Sequence, residues 1–126
     1  MGKKIVIITL LALIFAAAII ESVYVAGAVK RLSTAMDAVQ QALEADDTET
    51  AKEAAHELEV LWENEKKRFE ALYEHCEVDV ISATTRRIEV FCDEEDTVNA
   101  LAEVTAGQFY IDHLREMIGV RWENIL

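Results

Sequence analysis

The sequence predicts an all-α protein in which a single N-terminal transmembrane helix continues into a small antiparallel helical bundle. Three observations carry that expectation. The 126 residues include no proline and only 4 glycines, which favours helices and excludes collagen, a Gly-rich linker or a turn-rich β-sandwich. Charge is segregated: between Ile5 and Val29 only Glu21 is charged, whereas residues 32–126 hold 8 basic and 23 acidic residues. Apolar residues recur at spacings of three and four, and no period-two alternation persists. The net charge of −12 also speaks against a nucleic-acid partner, because neutralising phosphates requires a basic face.

Met1-Gly2-Lys3-Lys4 precedes an apolar run from Ile5 to Ile20 in which Thr9 alone is polar, and apolar character resumes after Glu21 as far as Val29. A helix over residues 5–29 is about 37 Å long, and about 20 residues span a hydrocarbon core of about 30 Å. Residues 5–29 are therefore expected to contact the lipid bilayer, with Glu21 and Tyr24 near the far interface, where a carboxylate reaches headgroup water. The alternative is a signal peptide cleaved near Ala28, since Ala26-Gly27-Ala28 has the A-x-A form, which would release a secreted chain. Against cleavage, Val25, Val29, Leu32, Met36, Val39 and Leu43 keep a 4-3-4-3-4 spacing through the would-be cut, the mark of one helix leaving the membrane and entering a bundle. Lys3-Lys4 and Lys30-Arg31 tie on the positive-inside count. The short basic tip resembles a retained export signal, so the N-terminus is expected inside and the domain outside. Residues 1–31 then form the tip and transmembrane helix, and residues 32–126 an acidic extracytoplasmic helical domain.

The first helix is expected to reach about Ala45. Asp46-Asp47-Thr48 forms a turn, with Asp46 and Glu49 at capping-box spacing. A second helix, about Glu49 to Cys76, carries Ala51, Ala55, Leu58, Trp62, Phe69, Leu72 and Cys76 on a seam interrupted by Glu63–Arg68. A third, about Asp79 to Cys92, places Ile81, Thr85, Ile88 and Cys92 on one stripe. Asp93–Thr97 is an acidic turn suited to a helix N-terminus. A fourth, about Val98 to Ile118, shows Leu101, Val104, Ile111, Leu114 and Ile118, stops at Gly119 and leaves a tail containing Trp122. The second helix is longer than the part of the first that lies outside the membrane. That mismatch calls for a break within Glu63–Arg68 or a bend near Gly27, and puts the turn around His75–Asp79 at the membrane-proximal end. There His113 falls roughly opposite Glu77.

Trp62-Glu63, Phe69, Leu72, His75-Cys76-Glu77-Val78-Asp79, Ile111-Asp112-His113-Leu114 and Glu123-Asn124-Ile125-Leu126 together resemble an uncharacterised bacterial membrane-anchored helical family, domain of unknown function 4363. The resemblance covers the whole chain, and its specific parts are the His-x-Glu-x-Asp turn and the Asn-Ile-Leu tail. It implies one N-terminal span, an envelope-facing helical domain of firmicute-type bacteria, and a membrane-protein neighbour. It implies no reaction, cofactor or catalytic residue.

His75, Glu77, Asp79 and His113 are the one set of metal-ligand types that the helix pairing gathers. The simpler expectation is that Glu77 and Asp79 cap the third helix while the histidines make structural hydrogen bonds, with no metal or cofactor bound. Glu53-Ala54-Ala55-His56 has the Glu-x-x-His spacing of di-iron bundles but no second copy, so His56 is expected exposed or interfacial. Cys76 and Cys92 stand about 24 Å apart by helix rise, too far for a disulfide, and are expected to be buried thiols. Lys66-Lys67-Arg68 is expected to pair with Glu63, Glu65 and Glu70 on an exposed face, or to touch anionic lipid if close to the membrane. Met36, Phe69, Phe91 and Phe109 read as core, and Tyr24 and Trp122 as interface residues. No phosphate loop, nucleophile elbow or metalloprotease motif is present. The function expected is a non-enzymatic interaction or structural module contacting a membrane protein or a second copy of itself. The alternative is a ligand- or divalent-ion-responsive extracytoplasmic sensor, with a small hydrolase a distant third.

Overall fold

The computed structural model describes residues 1–125, with side chains through Ile118. Four helices follow in order: α1 (Gly2–Glu44), α2 (Thr48–Leu72), α3 (His75–Asp93) and α4 (Thr97–Ile125). Each packs against its sequence neighbours, and α4 closes against α1, giving an up-down-up-down ring of four, as short turns require of antiparallel neighbours. Among the described residues there is no strand.

α1 is long because nothing in it breaks a helix, and it has two characters. Ile5 to Ile20 is an exposed apolar cylinder, with Ile5 at 63% and Ile20 at 69% exposure. It is the one described helix long and apolar enough to cross a membrane. From Val25 onward α1 lays Ala28, Val29, Leu32, Met36, Val39 and Leu43 into the core. Packing therefore starts before residue 32, and residues 25, 28 and 29 of the apolar stretch belong to the bundle. The break expected in α2 does not exist, since the helix runs uninterrupted through Glu63–Arg68, and α1 is likewise one continuous helix through Gly27. The length mismatch is resolved at the near end: α2 stops at Leu72, and the bundle reaches down α1 to Glu21.

Two turns at the far end share one design. Asp46 and Glu95 take positive φ (56° and 57°), and each begins a Schellman closure. The amides of Asp46 and Asp47 donate to the carbonyls of Leu43 and Ala42, and those of Glu95 and Asp96 to Cys92 and Phe91. The capping residue of α2 is thus Asp47, not Asp46. Its Oδ1 accepts from the Thr50 amide at 3.2 Å and its Oδ2 from Thr50 Oγ1 at 2.6 Å. Asp96 accepts from Asn99 in the same way. Lys52 bridges the two turns, 3.0 Å from Glu95.

The near-end turn departs most from expectation. α2 ends four residues before Cys76, and α3 begins four residues before Asp79, with Tyr73 extended and Glu74 as N-cap. The seam spacing Phe69–Leu72–Cys76 carries straight through this turn, which has neither Gly nor Pro to mark it. Tyr73 stacks on Phe69 at 5.7 Å, closing the floor of the bundle. Gly119 does not stop α4, which continues to Ile125; the side chain of Trp122 and the Asn-Ile-Leu tail's side chains lie outside the described residues.

The core centres on Trp62, Phe69, Leu32, Met36, Leu58 and Ile88. Trp62 donates its indole N–H to Ser82 Oγ at 2.8 Å, and the buried Thr84 and Thr85 hydroxyls donate to the Val80 and Ser82 carbonyls. The stripe expected on α3 is fully buried. Phe91 is only partly buried, and Phe109, expected in the core, is 69% exposed. Gly107 lets Met36 lie against the α4 backbone: a Cβ there would stand 2.6 Å from Met36 Cε. Gly107→Ala should therefore cost about 1–3 kcal/mol by overpacking, less the roughly 1 kcal/mol of helix propensity gained. Shortening the neighbour by Met36→Val should relieve part of that cost, a coupling of at least about 0.5 kcal/mol in a urea-denaturation double-mutant cycle. Strictly additive costs would show that the two do not meet.

Candidate functional site

The seam of α2 runs Trp62, Glu65, Phe69, so a carboxylate occupies a position that spacing assigns to the core. Glu65 is buried. An isolated buried charge is costly unless paired and hydrogen-bonded, and α1 supplies the partners. Arg31 Nη2 donates to Glu65 Oε1 at 3.0 Å, and the Tyr24 hydroxyl lies 3.2 Å from both carboxylate oxygens. The Arg68 guanidinium then lies over the Tyr24 ring, 3.6 Å from its centroid, a cation–π geometry. Arg68 also reaches Glu21 at 3.6 Å. Two cations and two anions interleave around one phenol where the apolar cylinder meets the bundle. Beneath them a cleft of about 200 Å³ opens between Ala18, Glu21, Val25, Leu72, Tyr73 and Ile118.

This corrects the reading of the basic run. Glu65 faces α1 instead of pairing with the cluster on an exposed face, and Arg68 turns to Glu21 and Tyr24. Tyr24 is the centre of a clasp. The signal that would have found it is the 62–65–69 spacing.

The four metal candidates do not gather. Glu77 and His113 do line one groove of about 360 Å³ between α3 and α4, with Cys76, Val80, Phe109 and Tyr110. His75 and Asp79 do not line it, because α3 starts at His75 and successive helical residues diverge around its axis. Among the described residues no three His, Cys, Asp or Glu side chains are placed to hold a metal ion. Glu77 lies inside the first turn of α3, where a negative charge suits the helix dipole, and the cap position falls to Glu74.

A family model for a domain of unknown function, DUF4363, matches residues 19–125. The chain belongs to this family. Comparison with curated proteins and with solved structures finds no match. The DUF4363 match begins at Ile19, two residues before Glu21, and so spans the clasp and the bundle but not most of the apolar cylinder.

Two further groups of this DUF4363 domain follow from its packing. Cys92 is buried and Cys76 exposed, both as free thiols, so only one of the two expected buried thiols is buried. Burial pushes the Cys92 thiol up to about 11, which leaves Cys76 as the thiol open to reagents. His56 is exposed, as its place at the edge of the seam implied, and its Nδ1 lies 2.8 Å from Glu89 Oε1 across α2 and α3.

Two experiments probe these contacts. Glu65→Ala should cost about 2–4 kcal/mol, chiefly through the cavity it leaves, since the Arg31 and Tyr24 donors both reach solvent. Glu65→Leu, which completes the apolar seam, should fall within about 1 kcal/mol of the parent in chemical denaturation; a large loss in the Leu variant would make the ion pair itself a source of stability. The second concerns pH. The hydrogen bond with Glu89 raises the His56 pKa above its ordinary 6.5. The folded state thus holds this proton more tightly than the unfolded chain does. The resulting stabilisation is fully present below about pH 6.5 and lost as pH rises through the higher folded-state value. The melting temperature's dependence on pH in this window should flatten in Glu89→Gln, and an unchanged profile would remove the pair from consideration.

Proposed function

We propose that this protein is a non-enzymatic, membrane-anchored interaction module. Its apolar cylinder crosses the cell membrane with the N-terminus inside, and its acidic bundle stands outside against a membrane-protein partner. The observation that carries this reading is the continuity of α1, which passes from an exposed apolar cylinder into the bundle core as one helix. A lipid-facing segment joined this way cannot swivel independently of the domain, and the clasp of Glu21, Tyr24, Arg31, Glu65 and Arg68 fixes its rotation. Retention of the anchor is favoured over cleavage near Ala28 by packing: the cut would remove Val25 and Ala28, both buried, together with Tyr24 and Glu21. Support for a protein contact comes from Phe109 and Val80, exposed side by side on the α3/α4 groove.

The sensor reading is favoured by one observation, the same groove, where an imidazole and a carboxylate stand over an apolar floor. A sensor would gain thermal stability with its ligand. The anchored-module reading expects no such gain with zinc, and expects a thiol-reactive cross-linker to join Cys76 to a reproducible neighbour in native membranes. For topology, protease added to spheroplasts should degrade the bundle and leave the membrane-embedded segment. Full protection until lysis would place the domain in the cytoplasm, and a mature chain starting near Val29 would make it secreted. Recovery of monomer alone after cross-linking would remove the partner.

A further inference from the structure

Beside the clasp, on the opposite flank of α1, lies a cleft of about 390 Å³ between α1 and α4, lined by Ala26, Val29 and Ile118 with Lys30 and Arg115. Its floor is apolar and its polar side chains are both cationic. We infer that this cleft binds an anionic phospholipid, its phosphate held by Lys30 and Arg115 and an acyl chain lying along Ala26 toward the anchor. The inference rests on the membrane-anchor reading and adds to it the lipid class that the domain selects.

Height, continuity and charge support it. Ile5–Ile20 covers about 24 Å of a hydrocarbon core of about 30 Å, and the charged pair of Glu21 and Arg68 marks where the interface begins. Lys30 then stands about 13 Å above Glu21 along the helix, just outside a headgroup layer about 5–8 Å thick. Side chains on a helix lean toward its N-terminus, which for α1 is the membrane side, so the Lys30 ammonium reaches back into that layer. Lys30, Ala26 and Val23 follow one another at spacings of four and three on one face of α1. Val23 is 65% exposed, so the cleft opens directly onto the lipid-facing surface of the anchor.

The charges are available. Lys30 is exposed and has no ion pair among the described residues. Arg115 meets Asp112 at 3.0 Å in an exposed pair one helical turn apart. Such pairs are weak, and a guanidinium has donors to spare. Arg31 and Arg68 are engaged in the clasp, and two further basic residues near this level, Lys66 and Lys67, sit on α2, which contributes nothing to the cleft. They provide an internal control of equal charge.

The test uses the full chain. Flotation with phosphatidylcholine vesicles comes first: the parent and all variants should float, and failure to float would overturn the anchor reading and the lipid site with it. Detergent-solubilised protein is then offered equal amounts of phosphatidylglycerol and phosphatidylcholine with the same acyl chains, and bound lipid is counted by native mass spectrometry. The parent should retain phosphatidylglycerol with a preference of about tenfold or more, as two basic contacts imply. K30Q/R115Q should lose that preference while keeping its helix content, and K66Q/K67Q should keep it. A parent that floats yet retains both lipids equally would overturn the lipid site alone. So would an undiminished preference in K30Q/R115Q, or an equal loss in K66Q/K67Q, which would reduce the effect to diffuse charge.

Discussion

Glu65 is the constraint around which the near end of the molecule is arranged. A carboxylate in an apolar seam demands hydrogen-bonding partners, and among the described residues α1 supplies them. Arg31 and Tyr24 must therefore face α2. That sets the rotation of α1 about its own axis, and with it the faces that Lys30, Ala26 and Val23 present outward. Glu59, the other buried carboxylate of α2, has no comparable set of partners; Arg86 approaches it only to 3.8 Å. The difference explains why the structure is organised about one of the two acids. Buried ion pairs are poor sources of stability and better attested as devices of register, and this one lies where register matters, at the joint between bundle and apolar cylinder.

From that joint the remaining geometry follows by length. Once α1 contributes from Glu21 upward, its packed part and α2 are nearly equal, so the far-end turns can be short and alike. Both use a non-glycine residue at positive φ followed by a capping aspartate. At the near end α2 and α3 meet without a capping side chain, and Tyr73 closes the floor by stacking. The openings of interest, the floor cleft, the α1/α4 cleft and the Glu77–His113 groove, all lie in this near half. They lie away from the fully buried core centred on Trp62, Met36 and Ile88.

Several of these features were open to inspection in the residues themselves. The 4-3-4-3-4 series from Val25 to Leu43 describes the buried face of α1, and Ile81, Thr85, Ile88 and Cys92 describe that of α3, because a 3.6-residue period projects directly onto a packed face. Asp96 marks its cap for the same local reason. The placing of Glu77 and His113 on one groove followed from counting residues on either side of a turn. What periodicity misplaced was the turn at Tyr73-Glu74, since Phe69, Leu72 and Cys76 keep seam spacing across it and nothing in the local chemistry forbids the helix to continue. Phe109 was misplaced because apolarity reports what a side chain tolerates and not where it points.

Helix content, the number of helices, the apolar cylinder and the identity of most core residues are local properties, and the chain carries them in its spacing and composition. The depth to which the bundle engages α1, the burial of Glu65, the turning of Arg68 from its acidic neighbours to Tyr24, and the placing of Lys30 and Arg115 on one cleft are not. Each depends on the rotation and height of one helix relative to another, quantities that arise only when two surfaces pack. The same carboxylate in a lone amphipathic helix would face water. It is buried here because α1 brings a guanidinium and a phenol to meet it.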